Sequence, residues 1–203
     1  MKTRILAWAG SSRKESFNRK LLAVAVTGAE EAGAEVTTID LGDYPMPLVN
    51  QDLEAETGIP ENGLKFKRLL LEHDALLIAS PEYNGSISPL LKNALDWASR
   101  AETDDEIPLA AYRGKTAAIL AASPGALGGL RGLVVLRMLL GNLGITVLPE
   151  QQTLPRADQA LNEDGSPISR KKEAAVRALG AKLARTTEKL KDQASQAGKT
   201  REE

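Results

Sequence analysis

Residues 75–79, Ala-Leu-Leu-Ile-Ala, are apolar without interruption. A strand with one wet face alternates. A five-residue run that does not, set between helical stretches, suits a strand covered on both faces, the central position of a parallel sheet. The rest of the chain follows the same logic. Residues 5–9 and 116–122 are further buried runs, residues 35–40 alternate through Val36 and Ile39, and residues 145–148 begin a fifth strand that resumes through Leu154. Between them lie helical patterns at 18–32, closed by Gly33, and at 64–72, 90–99 and 133–143, with an amphipathic closing helix at 169–191. Strand and helix alternate five times, which predicts an α/β fold: a doubly wound, five-stranded parallel sheet with right-handed crossovers and helices on both faces.

Several finer expectations follow. Residues 1–191 read as one domain, and the polar segment 192–203 as a tail that frays. Residues 41–61, with Pro45, Pro47, Gly58 and Pro60, lack periodicity and are expected to form a long surface loop that shapes an entrance. In the helix after it, Leu64, Leu69 and Leu70 are the expected buried positions. Ser88 followed by Pro89 reads as an N-cap and first helical residue.

Composition narrows the chemistry. The 203 residues suffice for one domain that buries most of its apolar surface. There is no Cys, so disulfides, thiolate catalysis and Cys-ligated metals are excluded. The single His, His73, cannot build a zinc site without Cys, and any Ser-His-Asp triad would have to use it. It ends a helical pattern just before a strand, where a structural role is expected. No metal site is expected. A net charge of -1 offers no attraction for nucleic acid or an anionic membrane. No apolar run approaches membrane-spanning length and no signal-peptide core is present, so a cytoplasmic location is expected.

In open sheets of this kind, ligands bind outside the carboxyl ends of the strands. Three loops leave such ends and are rich in Gly, Ser, Asn or Tyr. The first is Gly10-Ser11-Ser12-Arg13-Lys14-Glu15-Ser16-Phe17-Asn18. A helix start has unpaired N–H groups and partial positive charge. Ser11, Ser12, Ser16 and Asn18 add neutral donors, and Arg13 adds a charged fork suited to phosphate oxygens. The loop reads either as a phosphate site or as a strand-to-helix turn whose Ser and Asn cap the helix. It lacks the G-x-x-x-x-G-K-[ST] of a nucleotide P-loop and the three glycines of a dinucleotide fold, so a terminal phosphate monoester suits it better than a pyrophosphate.

The second loop, residues 80–89, carries Pro81, Glu82, Tyr83, Asn84 and Gly85. Its backbone amides and the Tyr83 ring suit the edge and face of a planar heterocycle; the alternative is an Asn-Gly turn with Tyr83 packed against the next helix. Glu82 has no second acid or His nearby in sequence to support acid–base work. The third loop, residues 123–132, holds Gly125, Gly128 and Gly129, either to expose backbone to the same heterocycle or to pack helix on sheet.

Taken together, Gly10-Ser11-Ser12-Arg13 with Ser16 and Asn18, Pro81 through Ser86 followed by Leu91-Lys92-Asn93-Ala94-Leu95-Asp96-Trp97, and Gly128-Gly129-x-Arg131 resemble the NADPH-dependent FMN reductase family, which includes quinone, chromate and azo-dye reductases. The resemblance spans the first strand through the fourth helix. It implies a flavodoxin-like fold with strand order 2-1-3-4-5, FMN as cofactor, NADPH or NADH as co-substrate, and a homodimer or homotetramer. Carried over residue by residue, Ser11, Arg13, Ser16 and Asn18 hold the FMN phosphate, with Phe17 in the same loop. Pro81, Glu82, Tyr83, Asn84 and Gly85 line the isoalloxazine and ribityl side, and Ser123 and Gly125 close over the far edge. The departure is Pro124, which removes a backbone donor there.

The activity so implied is hydride transfer from NADPH through FMN to a small acceptor (quinone, azo compound, chromate or free flavin) by a ping-pong cycle, with no catalytic side chain required. The alternatives are an electron-carrying flavodoxin-like protein and a flavin-free interaction domain. Carrier flavodoxins usually show a Thr/Ser-x-Thr-Gly-x-Thr loop and strong acidity, and this chain shows neither. The region of Trp97, Arg100 and Tyr112 is a candidate subunit interface, with Trp97 as core the alternative.

Overall fold

Five parallel strands carry the chain, in the order β2-β1-β3-β4-β5. A computed structural model describes residues 2–199. Strand β1 is Arg4–Ala9, β2 Glu35–Asp40, β3 Ala75–Ala79, β4 Thr116–Ala122 and β5 Thr146–Leu154. The helices are α1 Phe17–Glu31, α2 Gln51–Thr57, α3 Glu61–Glu72, α4 Pro89–Ala98, α5 Leu130–Asn142, α6 Ala157–Ala160 and α7 Arg170–Lys199. The unbroken apolar runs of β1, β3 and β4 are the three inner strands, as their lack of alternation requires.

Successive side chains leave a strand on opposite faces, so each inner strand feeds two cores. Ile5, Ala7, Leu77, Ala118 and Leu120 pack with Leu21, Ala25, Val176 and Leu183 under α1 and α7. Leu6, Trp8, Leu76, Ile78 and Ile119 pack with Phe66, Leu91, Leu95 and Leu133 under α3, α4 and α5. Trp8 meets Phe66 edge to face at 5.5 Å. Burying such side chains contributes about 1.5–3 kcal/mol each, the main force behind the three layers. On the first face, α1 and α7 cross at backbone contact: a Cβ on Gly28 would overlap the Arg177 carbonyl, and one on Gly180 the Ala25 carbonyl.

The interrupted fifth strand has a local cause. Ala117 pairs with Val147 and Ile119 with Gln151, so β5 spends two extra residues opposite β4. Pro149 lies in that irregularity, at the sheet edge where a missing N–H is tolerated.

Three expectations need correction. Residues 41–61 are not an unstructured surface loop: a 3₁₀ turn at Leu41–Asp43 buries Leu41, α2 follows, and α3 already begins at Glu61. Asn50 caps α2 through the Asp52 N–H at 2.8 Å, and Gly58 at φ +75° ends it. Within α3 the inward positions are Gly63, Phe66, Lys67 and Leu70, while Leu64 and Leu69 are only half-buried. Gly63, Phe66, Lys67 and Leu70 recur at i, i+3, i+4 and i+7 and so share one face, which Leu64 and Leu69 only flank. Finally, residues 192–199 of the expected tail continue α7 as helix; residues 200–203 lie outside the described residues.

Candidate functional site

Three strand ends open on one rim, and three side-chain bridges tie their loops together. Ser88, the N-cap of α4, donates its hydroxyl to the Gly10 carbonyl at 2.6 Å and accepts the Leu91 N–H at 3.2 Å. That joins the end of the second loop to the start of the first. Gly10 suits this approach, because a Cβ there would crowd the Leu91 Cβ at 3.0 Å and the Ser88 Oγ at 3.2 Å and oblige them to give by a few tenths of an ångström. Asn18 donates to the Ala122 carbonyl and accepts the Ala122 N–H, each at 2.9 Å, joining α1 to the mouth of the third loop. Glu82 joins the second loop to the start of α5. Its carboxylate accepts the N–H groups of Arg131 at 3.0 Å and Gly132 at 3.2 Å, and the Arg131 guanidinium at 2.7 Å.

The first loop matches a phosphate receptor. Ser16 is buried and caps α1 by accepting the Arg19 N–H. Ser11 is also buried, and its Oγ accepts the Arg13 N–H at 3.4 Å. Both hydroxyls keep a proton to donate. The N–H groups of Phe17 and Asn18, in the first turn of α1, take no acceptor among the described residues. Arg13 stands exposed, its guanidinium 6.0 Å from the Phe17 ring centre and in no ion pair among the described residues. Open helix-start donors beside a cation that forms no close ion pair, though it feels the nearby Glu15 carboxylate, are the donor set a phosphate monoester needs, so these residues fit the FMN tail. The Asn18 side chain bonds Ala122 through both its oxygen and its nitrogen, which anchors the start of α1; the second amide proton and the Asn18 backbone N–H are what this residue has left to offer a ligand.

In the second loop, Tyr83 and Ser86 exchange both backbone hydrogen bonds, at 2.8 and 3.0 Å, around Asn84 and Gly85 at φ +52° and +81°. Two positive φ angles in an Asn-Gly pair define a type I′ turn. The turn leaves the Tyr83 ring half exposed at 49% and the Asn84 and Gly85 N–H groups open, while Pro81 is buried beneath it. The Glu82 side chain is 8% exposed. Burial opposes its ionisation, but the hydrogen bond and charge of Arg131 and the two backbone N–H groups outweigh that and hold the carboxyl below the ordinary glutamate range. It is therefore a fixed anion at a helix start rather than an acid or base in waiting.

The third loop is anchored from β5. Ser123 accepts the Ala157 N–H and donates its own to the Leu154 carbonyl, and Gly125 accepts the Arg156 N–H. The N–H of Gly125 and the hydroxyl of Ser123 are what these two positions can offer a ligand. Gly128, at φ +61°, lies so close to Pro155 that a Cβ would be 2.6 Å from its nitrogen. The glycines of this loop thus serve close packing and positive φ as well as exposed backbone. The Glu82–Arg131 bridge carries no signal in the sequence, since 49 residues separate its ends.

Elsewhere the motif residues are structural. Asn93 accepts the Val49 N–H and donates to the Pro47 carbonyl, which also takes the Trp97 Nε1–H at 2.7 Å. Trp97 and Tyr112 are fully buried, and Arg100 pairs with Glu54, so the aromatic anchors of the expected interface are core. His73 caps α3, its Nδ1 2.6 Å from the Leu69 carbonyl. Among the described residues no group of three His, Cys, Asp or Glu side chains is placed to hold a metal, and no helix is long and apolar enough to cross a membrane.

Comparison with known proteins bears on family and fold. The sequence profile described as "NADPH-dependent FMN reductase" matches residues 3–159. A quinone reductase of Pseudomonas putida is 34% identical over 162 residues, 80% of this chain and 82% of its own length. An NADPH:quinone oxidoreductase of Arabidopsis thaliana is 42% identical over 128 residues; that match spans 62% of this chain and only 61% of the Arabidopsis protein. Among solved structures, the flavoenzyme NAD(P)H:(acceptor) oxidoreductase FerB of Paracoccus denitrificans superposes with a TM-score of 0.74 at 29% identity, covering 93% of this chain and 98% of FerB. The chain belongs to the NADPH-dependent FMN reductase family and has its flavodoxin-like strand order.

Proposed function

We propose that the protein binds FMN across the three bridged loops and uses it to pass reducing equivalents from NADPH or NADH to a small acceptor, a quinone being the first candidate. The observation that carries the reading is the first loop: open N–H groups of Phe17 and Asn18, two buried serine hydroxyls and the unpaired Arg13 converge where a phosphate tail would sit. When bound, FMN supplies the hydride chemistry. The chain's own part is placement. Ser11, Arg13, Ser16 and the α1 start hold the tail, the Tyr83–Ser86 turn flanks the ring system, and Ser123 and Gly125 offer one hydroxyl and one N–H at its far edge. Glu82, held as a carboxylate by Arg131, neither gives nor takes a proton in this scheme. A site that would admit nicotinamide and acceptor one after the other, at a single place beside the Tyr83–Ser86 turn, leads to a ping-pong rate law.

The relatives' names favour quinones, while azo compounds, chromate and free flavin stay within the same proposal. A homodimer or homotetramer is also proposed; exposed Leu127 at the end of the third loop and Leu130, Val134 and Met138 on α5 are apolar side chains suited to such contact. The test is NADPH and NADH oxidation by the purified, FMN-loaded protein with a benzoquinone and no protein partner. Turnover with parallel double-reciprocal lines supports the proposal. Reduction only in the presence of a second protein would favour an electron carrier instead.

A further inference from the structure

Glu82 stands in the second loop among residues expected to touch the flavin, yet its carboxylate is turned away into the start of α5. It fills that helix terminus with both oxygens, one taking the Arg131 and Gly132 N–H groups and the other the Arg131 guanidinium at Nε and Nη2. The fit is close on both sides: a Cβ on Gly132 would meet the Ser86 carbonyl at 3.2 Å and the Glu82 Cβ at 3.3 Å. The partner Arg131 is the second residue of α5, directly after the Gly128–Gly129 pair that ends the third loop. Glu82 itself is the residue before Tyr83, the first of the Asn-Gly turn.

We propose that the Glu82–Arg131 pair is a latch that makes the Tyr83–Ser86 turn and the third loop a single wall, so that Glu82 acts on flavin binding as a positioning residue, through Arg131 and α5, and not as a flavin contact. This rests on the proposed FMN site. The latch joins the two loops assigned to the ring system, and neither Glu82 nor Arg131 shares a hydrogen bond or ion pair with the first-loop donors among the described residues. Opening it therefore loosens the ring side alone. A flavin lacking the phosphate senses the latch as fully as FMN does, whereas Arg13 is sensed by FMN only. Preorganised walls chiefly slow ligand escape.

The experiment compares wild type, Glu82→Gln, Arg131→Met and the double variant, each titrated in flavin-free form with FMN and with riboflavin, with stopped-flow dissociation rates. The expected result is a loss of affinity of about tenfold for both flavins by the same factor, carried by faster dissociation, with the double variant no worse than either single one. Far-UV circular dichroism and the melting temperature of the flavin-free protein separate this from unfolding, and Arg131→Lys, which restores charge without the fork, is expected to recover part of the affinity. Affinities unchanged within twofold in both single variants would overturn the latch. So would a loss confined to FMN, or additive effects in the double variant. Wild-type protein that binds neither flavin would instead remove the FMN site itself, and the latch with it.

Discussion

Asn18 and Ala122 are locked by two hydrogen bonds of 2.9 Å, the side-chain amide of one reading both backbone groups of the other across 104 residues of sequence. The pair is buried, and it fixes the start of α1 against the last residue of β4. The spacing between the first loop and the third loop is set there. Replacing Asn18 by Leu leaves the Ala122 N–H and carbonyl without partners, and each such buried group costs roughly 1–3 kcal/mol. Urea denaturation of Asn18→Leu is expected to show a loss of about 3 kcal/mol. Asn18→Asp places a carboxylate oxygen against the Ala122 carbonyl and is expected to be no milder. Wild-type stability in both variants would mean that the bridge contributes nothing.

The contact between α1 and α7 tolerates no side chain at Gly180, since a Cβ there would overlap the Ala25 carbonyl. Backbone cannot swing aside as a flexible side chain does, so the helices must separate along their length. Gly180→Ala is expected to destabilise the protein by roughly 3 kcal/mol or more, well beyond the small gain in helix propensity. Thermal denaturation checks this, and a melting point equal to or above wild type would contradict the crossing geometry.

Acid lability is expected to begin at Lys67. Its ammonium is 1% exposed, 2.6 Å from Glu106, 3.5 Å from Glu102 and 2.7 Å from the Arg100 carbonyl. Burial works against the Glu106 charge, but the Glu102 N–H and Lys67 more than offset it and hold the carboxyl below the ordinary glutamate range. A depressed folded-state value means that the stabilisation is complete above the unfolded glutamate value and is lost as pH falls through the folded one. Glu106→Gln is therefore expected to flatten the acid limb of the stability profile. At neutral pH it costs about 3 kcal/mol by leaving a buried cation poorly paired, and Lys67→Met/Glu106→Gln recovers most of that. Stability measured from pH 3 to 7 tests both parts; an unchanged acid limb in Glu106→Gln would contradict the assignment.

Much of the fold was legible because burial on two faces leaves a plain mark. Residues 75–79 and 116–122 read as inner strands and are β3 and β4. Ser88 and Pro89 announced the start of α4 in the same way, through a cap and a fixed φ. What was missed depended on neighbours. Helix α2 exposes most of its surface and buries no residue, so no hydrophobic period marked it. The inward face of α3 is led by Phe66 and, against composition, by Lys67, whose charge is met by residues 35 and 39 positions away. At the site, the loops were legible from Gly, Ser, Asn and Tyr at strand ends. The bridges were not: Asn18 looks like a ligand donor until Ala122 is placed beside it, and Glu82 has no evident partner until α5 brings Arg131 to it.

The central claim is that the first loop grips a phosphate monoester at the start of α1, with Arg13 as its charged clamp. Charge-assisted hydrogen bonds of this type contribute roughly 1.5–3 kcal/mol, about ten- to a hundredfold in affinity. The most direct measurement is titration of flavin-free wild-type and Arg13→Ala protein with FMN and with riboflavin, followed by quenching of flavin fluorescence. The account predicts that wild type prefers FMN by at least tenfold and that Arg13→Ala removes most of that preference while leaving riboflavin affinity within twofold. Equal binding of the two flavins by wild type, or an equal loss of both in Arg13→Ala, would contradict it.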